Sequence, residues 1–300
     1  MRLLERTCNA NGDLRLTRDL IGDKIPPYAI LSHTWWSDAD EVTFQDLSGD
    51  GRAAQAKAGY EKLRFCAEQA SRDGLRFCWV DTCCIDKSNK AELDEAINSM
   101  FKWYRDAARC YVYLSDVSVP GDLAASRWFT KGWTLQELLA PRSVEFFTRG
   151  GTRLGDKRSL ERQIHKITGI PVPALQGVPL SQFDIQERFA WAETRQTMRE
   201  EDGAYCLLGV FGVFIPLIYG EGRENAGRRL RKAIDEAQWL PTQKHQRARD
   251  SPQLARNLTL CKSNTHVQPK NHQYIAHSKQ GPYQADSLAA RRPSGDSTPS

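Results

Sequence analysis

Four short apolar runs, set through the first 150 residues and separated by helix-patterned segments, restrict this chain more than any other feature. They are Tyr28-Ala29-Ile30-Leu31-Ser32, Phe77-Cys78-Trp79-Val80-Asp81, Cys110-Tyr111-Val112-Tyr113-Leu114 and Val144-Glu145-Phe146-Phe147. A strand with one wet face alternates polar and apolar residues, whereas a strand apolar almost throughout is covered on both faces. Between the first two runs, residues 59–73 place Leu63, Cys66, Ala67 and Ala70 at helical spacing, with Gly74 as the C-terminal cap. Between the second and third, residues 91–107 set Leu93, Ile97, Met100 and Tyr104 on one face, and Asn89 followed by Glu92 gives a capping-box start. A short helix over residues 133–139, stopped by Pro141, precedes the fourth run. This alternation predicts an α/β domain of flavodoxin-like character, a parallel sheet with helices on both faces.

Residues 157–238 change character. Leu160, Ile164 and Ile167 mark one helix, and Ile185, Phe189 and Ala192 a second; residues 205–211 and 223–239 suggest two more. The expected organisation is an α/β core over 1–156, a helical extension over 157–240 and a tail over 241–300. The tail is rich in Gln, Ser, Lys, Arg, Pro and His and has no sustained period, so it cannot bury enough apolar surface to offset its ordering entropy and should be disordered.

Charge narrows the function classes. The chain carries +5, but residues 241–300 hold nine Lys/Arg against three Asp/Glu, which is +6 and leaves the first 240 residues near −1. A folded part without basic excess implies no nucleic-acid face. No apolar run reaches the roughly 20 residues of a membrane span, and the charged start Met1-Arg2-Leu3-Leu4-Glu5-Arg6 is unlike a signal peptide, so a cytoplasmic protein is expected. The eight cysteines, at 8, 66, 78, 83, 84, 110, 206 and 261, include no CxxC pair, and no metal site is expected. Neither a GxxxxGK[ST] nor a GxGxxG loop is present, which argues against an ATPase or a dehydrogenase.

Longer motifs carry a resemblance. Tyr28-Ala29-Ile30-Leu31-Ser32-His33-Thr34-Trp35, then Trp79-Val80-Asp81-Thr82-Cys83-Cys84-Ile85-Asp86, then Arg127-Trp128-Phe129-Thr130-Lys131-Gly132-Trp133-Thr134-Leu135-Gln136-Glu137-Leu138 resemble the three motifs of the fungal heterokaryon incompatibility (HET) domain. Residues 199–209 and 217–222 are similar to the stretches that follow in its vegetative-incompatibility members. The resemblance covers about residues 1–235. It implies a self/non-self module that triggers cell death, works by self-assembly and signals with other incompatibility or NOD-like proteins.

HET domains in turn resemble TIR domains, which implies a TIR-like sheet and a candidate catalytic residue. TIR domains carry a Ser…Trp-Cys-Leu-x-Glu-Leu run after the third strand, and its Glu is the catalytic carboxylate of those that cleave NAD. Here the matching position is Glu137, with Thr134 where the relative has Cys and about ten extra residues before Arg127. The resemblance therefore implies NAD as a substrate and no bound cofactor. A fixed carboxylate beside a ribose can stabilise the oxocarbenium charge that develops as nicotinamide leaves. Ser32, His33, Trp35 and Asp81 follow or end the first two strands and would line the same edge, and Trp128 or Trp133 could stack on a base. Four of them have a plainer reading: Glu137 as a solvated surface acid, Trp133 as core packing, His33 as a strand-end histidine bonded to a carbonyl, Asp81 as a turn cap. Both an enzyme and a non-catalytic adaptor acting through homotypic contacts fit the residues.

Overall fold

The computed structural model describes residues 1–7, 13–49 and 51–250. Its strands are β1 (Leu4–Arg6), β2 (Leu14–Leu16), β3 (Tyr28–His33), β4 (Phe77–Trp79), β5 (Arg109–Leu114), β6 (Val144–Thr148) and β7 (Arg153–Asp156). The helices of the first half are α1 (Phe44–Leu47), α2 (Arg52–Ala56), α3 (Tyr60–Arg72), α4 (Lys90–Asp106) and α5 (Thr134–Leu139). Those of the second half are α6 (Glu161–Thr168), α7 (Val172–Leu175), α8 (Ile185–Glu193), α9 (Asp202–Tyr205), α10 (Leu208–Phe211) and α11 (Gly222–Asp250).

The sheet runs β2-β1-β4-β3-β5-β6-β7. The four apolar runs form its parallel centre, β4-β3-β5-β6, with Ser32 opposite Val112 and His33 opposite Tyr113. Antiparallel strands close both sides, the β1–β2 hairpin against β4 and β7 against β6. The sheet is thus mixed, mostly parallel. The three antiparallel strands, of which β2 and β7 are the edges, are short and carry charges within them, which suits sheet margins and hides them from a search for apolar runs. In the parallel centre the chain lays β4 on one side of β3, then crosses to put β5 on the other. Strand order therefore reverses between β3 and β5, and in open α/β sheets ligands bind at such a switch point, outside the carboxyl ends of the strands.

Local chemistry explains the crossovers. Helix α3 ends in a left-handed Gly74 (φ 75°), with Leu75 N–H reaching Ala70 O at 2.8 Å and Gly74 N–H reaching Ser71 O at 3.1 Å, a pair that satisfies two of the helix's last carbonyls. Asn89 caps α4 through Ala91 and Glu92 N–H, but Glu92 turns instead to Asp86 N–H and Arg2, so the capping box is half formed. Because successive strand residues face opposite ways, α3 covers the side of β3, β5 and β6 bearing His33, Tyr111, Tyr113 and Phe147. On the other side, Trp128, Phe129 and Phe146 pack ring against ring beneath Ser32.

Met1–Lys244 make up one compact unit, and the helices after β7 belong to it. Helix α10 approaches α4 so closely that a Cβ at Gly209 would lie 2.0 Å from that of Phe101. Of His245–Ser300 only residues 245–250 are described, as the end of α11. That helix runs past the expected tail boundary at Pro241, and the rest of the tail, residues 251–300, lies outside the described residues.

Candidate functional site

Helix α5 lies across the carboxyl end of β3, and all six of its residues are buried, Gln136 and Glu137 included. Glu137 is 7% exposed, so it is not a surface acid. Its Oε2 accepts a 2.5 Å hydrogen bond from Ser32 Oγ, which itself accepts one from Trp128 Nε1 at 2.8 Å. Tyr104 of α4 donates to Leu31 O at 2.9 Å and also contacts the Glu137 carboxyl. Burial pushes the Glu137 carboxyl up to about 8; the Ser32 bond opposes this, Asp81 adds to it, and Tyr104 and Arg195 oppose it. The group is a carboxylic acid at neutral pH while this enclosure holds.

Two buried cations fix α5. Arg195, after α8, donates through Nη1 to Lys131 O and Thr134 Oγ1, both at 2.9 Å, and through Nε to Trp191 O at 3.1 Å. Its Nη2 has no hydrogen-bond partner among the described residues, and burial lowers the guanidinium to about 10. At the other end, Lys157 Nζ donates to Leu138 O at 3.1 Å and Pro141 O at 2.8 Å, satisfying carbonyls that a helix end leaves open; burial draws it down to about 8.

On the opposite face of β3 stands a second polar group. His33 is buried, with Nε2 3.7 Å from Glu41 Oε1 and 3.8 Å from Asp81 Oδ1. Burial, then Lys62 and Lys87, hold its pKa well below the ordinary histidine range, so the ring is neutral. Glu41 Oε2 is fully engaged, by Lys62 Nζ at 2.6 Å and Trp36 N–H at 2.9 Å. Asp81 Oδ2 accepts from Trp35 Nε1 at 2.9 Å, and Lys87 Nζ sits 3.6 Å from the centre of the Trp35 ring.

The structure therefore brings Ser32, Glu137 and Trp128 together on one face of β3, and His33, Asp81 and Trp35 together on the other. Trp128 is closed off from solvent between Phe129 and Phe146, and Trp133 is half-buried and bonded to Asp202. The exposed indole at this edge is Trp35, at 43%. Sequence reasoning missed Glu41, Lys62 and Arg195. Lys62 could have been found, because it stands four residues before Cys66 on the apolar stripe of α3. Among the described residues no cluster of three or more His, Cys, Asp or Glu could hold a metal ion, and no helix is long and apolar enough to cross a membrane. A surface cavity of about 600 Å³ opens between β2 and α1, lined by Arg2, Leu14, Leu16, Phe44 and Leu47, on neither face of β3 just described.

Comparison with known proteins gives this arrangement a family. Residues 28–124, which contain β3 to β5 and both polar faces apart from Trp128, Glu137 and Arg195, match the family described as heterokaryon incompatibility protein (HET). The chain is 60% identical over 245 residues to the vegetative incompatibility protein HET-E-1 of Podospora anserina. That match covers 78% of this chain and 18% of the relative, so the chain spans less than a fifth of the length of the protein it matches. No solved structure matches. The chain thus carries a heterokaryon incompatibility (HET) domain.

Proposed function

We propose that the chain acts in heterokaryon incompatibility as a cytoplasmic domain that triggers cell death, and that it does so by hydrolysing NAD with Glu137 as the carboxylate at the sugar. One observation carries the chemical part: a carboxyl group enclosed beside the β3–β5 switch point, aimed by Ser32 and Tyr104 and flanked by the guanidinium of Arg195. In the reaction the bond between ribose and nicotinamide breaks, its electron pair leaves with nicotinamide, and water adds to the sugar carbon, giving ADP-ribose and a proton. Glu137 must be ionised to stabilise the developing positive charge. In the enclosed state it is largely protonated, because desolvation outweighs its hydrogen bonds. Opening the α5 side to nucleotide and water relaxes that desolvation, and Arg195 then favours the carboxylate. Self-assembly, alone or with other incompatibility or NOD-like proteins, supplies the opening, so activity rises steeply with local concentration.

The test is release of nicotinamide from NAD by the full chain, at rising concentration and when artificially clustered, beside Glu137→Gln. Release by the native chain and loss of at least a hundredfold in the variant supports the proposal. Silence of both under clustering ends it. The full enclosure of Glu137 favours a second reading, a non-catalytic adaptor in which this acid is scaffold. That reading expects Glu137→Gln to kill cells on overexpression while cellular NAD holds steady.

A further inference from the structure

The His33 face differs from ordinary core in how its acids are used. Glu41 and Asp81 each commit one oxygen to the scaffold, Glu41 Oε2 to Lys62 and Trp36, Asp81 Oδ2 to Trp35. Their second oxygens, Glu41 Oε1 and Asp81 Oδ1, converge on a single atom, His33 Nε2, from 3.7 and 3.8 Å. These separations are too long for hydrogen bonds, so neither carboxylate oxygen bonds the ring and both keep their acceptor capacity beside it. His33 Nδ1, His33 Nε2 and Glu41 Oε1 are buried without a hydrogen-bond partner among the described residues. Buried polar atoms left so are rare in folded proteins and mark places where something else completes the bonding.

The chemistry of that something can be read from the donor and acceptor count. The niche offers two spare carboxylate oxygens, which only accept, and an imidazole, which does both. Its charge is already balanced, since Lys62 pairs with Glu41 and Lys87 lies close to Asp81. A charged ligand would unbalance it; a neutral one bearing adjacent hydroxyls would satisfy it. Asp81 and Trp35 form its outer rim, and the Trp35 indole, held in orientation by Asp81 Oδ2, carries Lys87 Nζ over one face and has its remaining exposed surface beside those carboxylate oxygens.

We propose that the carboxyl ends of β3 and β4 bind a nucleoside, its ribose cis-diol donating to Asp81 Oδ1 and Glu41 Oε1 beside His33 and its base stacking on Trp35. The site lies on the opposite face of β3 from Glu137. It rests on the NAD reading only for the identity of the natural nucleotide, a dinucleotide having a second ribose to be held away from the reacting one.

Adenosine tests the site apart from the chemistry, because it has no nicotinamide bond to cleave. Calorimetric titration of the full chain with adenosine should show saturable binding. 2′-Deoxyadenosine should bind at least tenfold more weakly, since it leaves a buried carboxylate oxygen unpaired. Asp81→Asn should weaken adenosine at least tenfold, because its amide oxygen is held by Trp35 and its NH₂ then faces His33 where an acceptor stood. No binding of adenosine, or equal binding of the deoxy form, overturns the proposal without touching the Glu137 assay. D-Ribose binding as tightly as adenosine would overturn the nucleoside assignment by removing any part for Trp35. The ligand comparison uses the native chain, so it stands even if the Asp81 variant does not fold.

Discussion

On one face of β3 the hydroxyl of Ser32 joins Trp128 to Glu137 in an unbroken hydrogen-bonded chain; on the other, one residue further, the imidazole of His33 is bracketed by two carboxylates and bonded to neither. Both residues are buried, both end the same strand, and both lie at the edge where parallel sheets bind ligands. The Trp128–Ser32–Glu137 chain is closed as it stands, although Arg195 Nη2 and Gln136 Nε2 nearby have no partner among the described residues, and whatever chemistry Glu137 performs must begin by opening it. The unsatisfied face is built around groups that the protein does not complete. The two faces should therefore answer substitution differently, and the sizes of those answers separate scaffold from site.

The largest effect is expected where a buried charge loses its partner. Lys62 is fully buried, and its ammonium holds Glu41 Oε2. Lys62→Met leaves that carboxylate uncompensated and should cost about 3–5 kcal/mol in denaturant unfolding. Adding Glu41→Gln should recover a large part. If Lys62→Met alone unfolds like the native chain, the His33 face is wetter than its geometry indicates, and the contrast with the Ser32 face dissolves.

The next effect belongs to Glu137 and depends on pH. Its pKa is raised to about 8 in the folded chain from an ordinary value near 4.5. Between those values the folded state keeps a proton that the unfolded state has released, so stability is fully present below about 4.5 and is lost as pH rises through about 8. The loss between pH 4.5 and 7 is on the order of 3 kcal/mol. Glu137→Gln has no proton to lose. Measured against the native chain across that range, its relative stability should climb with pH and level off above about 8. A constant difference would mean that Glu137 is already ionised and solvated.

How these residues could be known from the sequence differs by region. The four central strands were legible because a run such as Tyr28-Ala29-Ile30-Leu31 has no solvated alternation, and α3 and α4 because their apolar residues recur at helical spacing. The hairpin β1–β2 was not, since Leu4-Glu5-Arg6 and Leu14-Arg15-Leu16 are too short for a period and owe their pairing to the edge of β4. Glu137 was placed by resemblance, but its burial was invisible: Gln136-Glu137 reads as polar surface, and the groups that act on its carboxyl include Tyr104 and Arg195, over thirty and over fifty residues away in sequence. Glu41 lies in a loop without period, and nothing local announces that Lys62 will reach it.

A smaller effect is expected at Ser32. Ser32→Ala removes the hydroxyl that serves both Trp128 Nε1 and Glu137 Oε2, leaving two buried polar atoms without that partner. The expected cost is about 1–3 kcal/mol. A Tyr104→Phe background should make it larger, because Tyr104 is the other hydroxyl on Glu137; simple additivity would show that the two bonds are independent rather than one network.

The smallest effect on stability should come from His33, the buried neighbour of Ser32. His33→Leu keeps the approximate volume and removes two nitrogens that have no hydrogen bond to lose. Deleting a polar group whose bonds are unmade can be neutral or stabilising, so the change should stay within about 1 kcal/mol of the native chain. Glu41 Oε1 was unpartnered before the substitution and remains so after it. Adenosine binding, in contrast, should fall at least tenfold. That combination, little loss of stability with a large loss of affinity, is what separates a binding group from a scaffold group, and Ser32→Ala should show the reverse. If His33→Leu instead costs more than about 2 kcal/mol, its imidazole is bonded in solution through fixed water, the niche is part of the scaffold, and the two faces of β3 are alike after all.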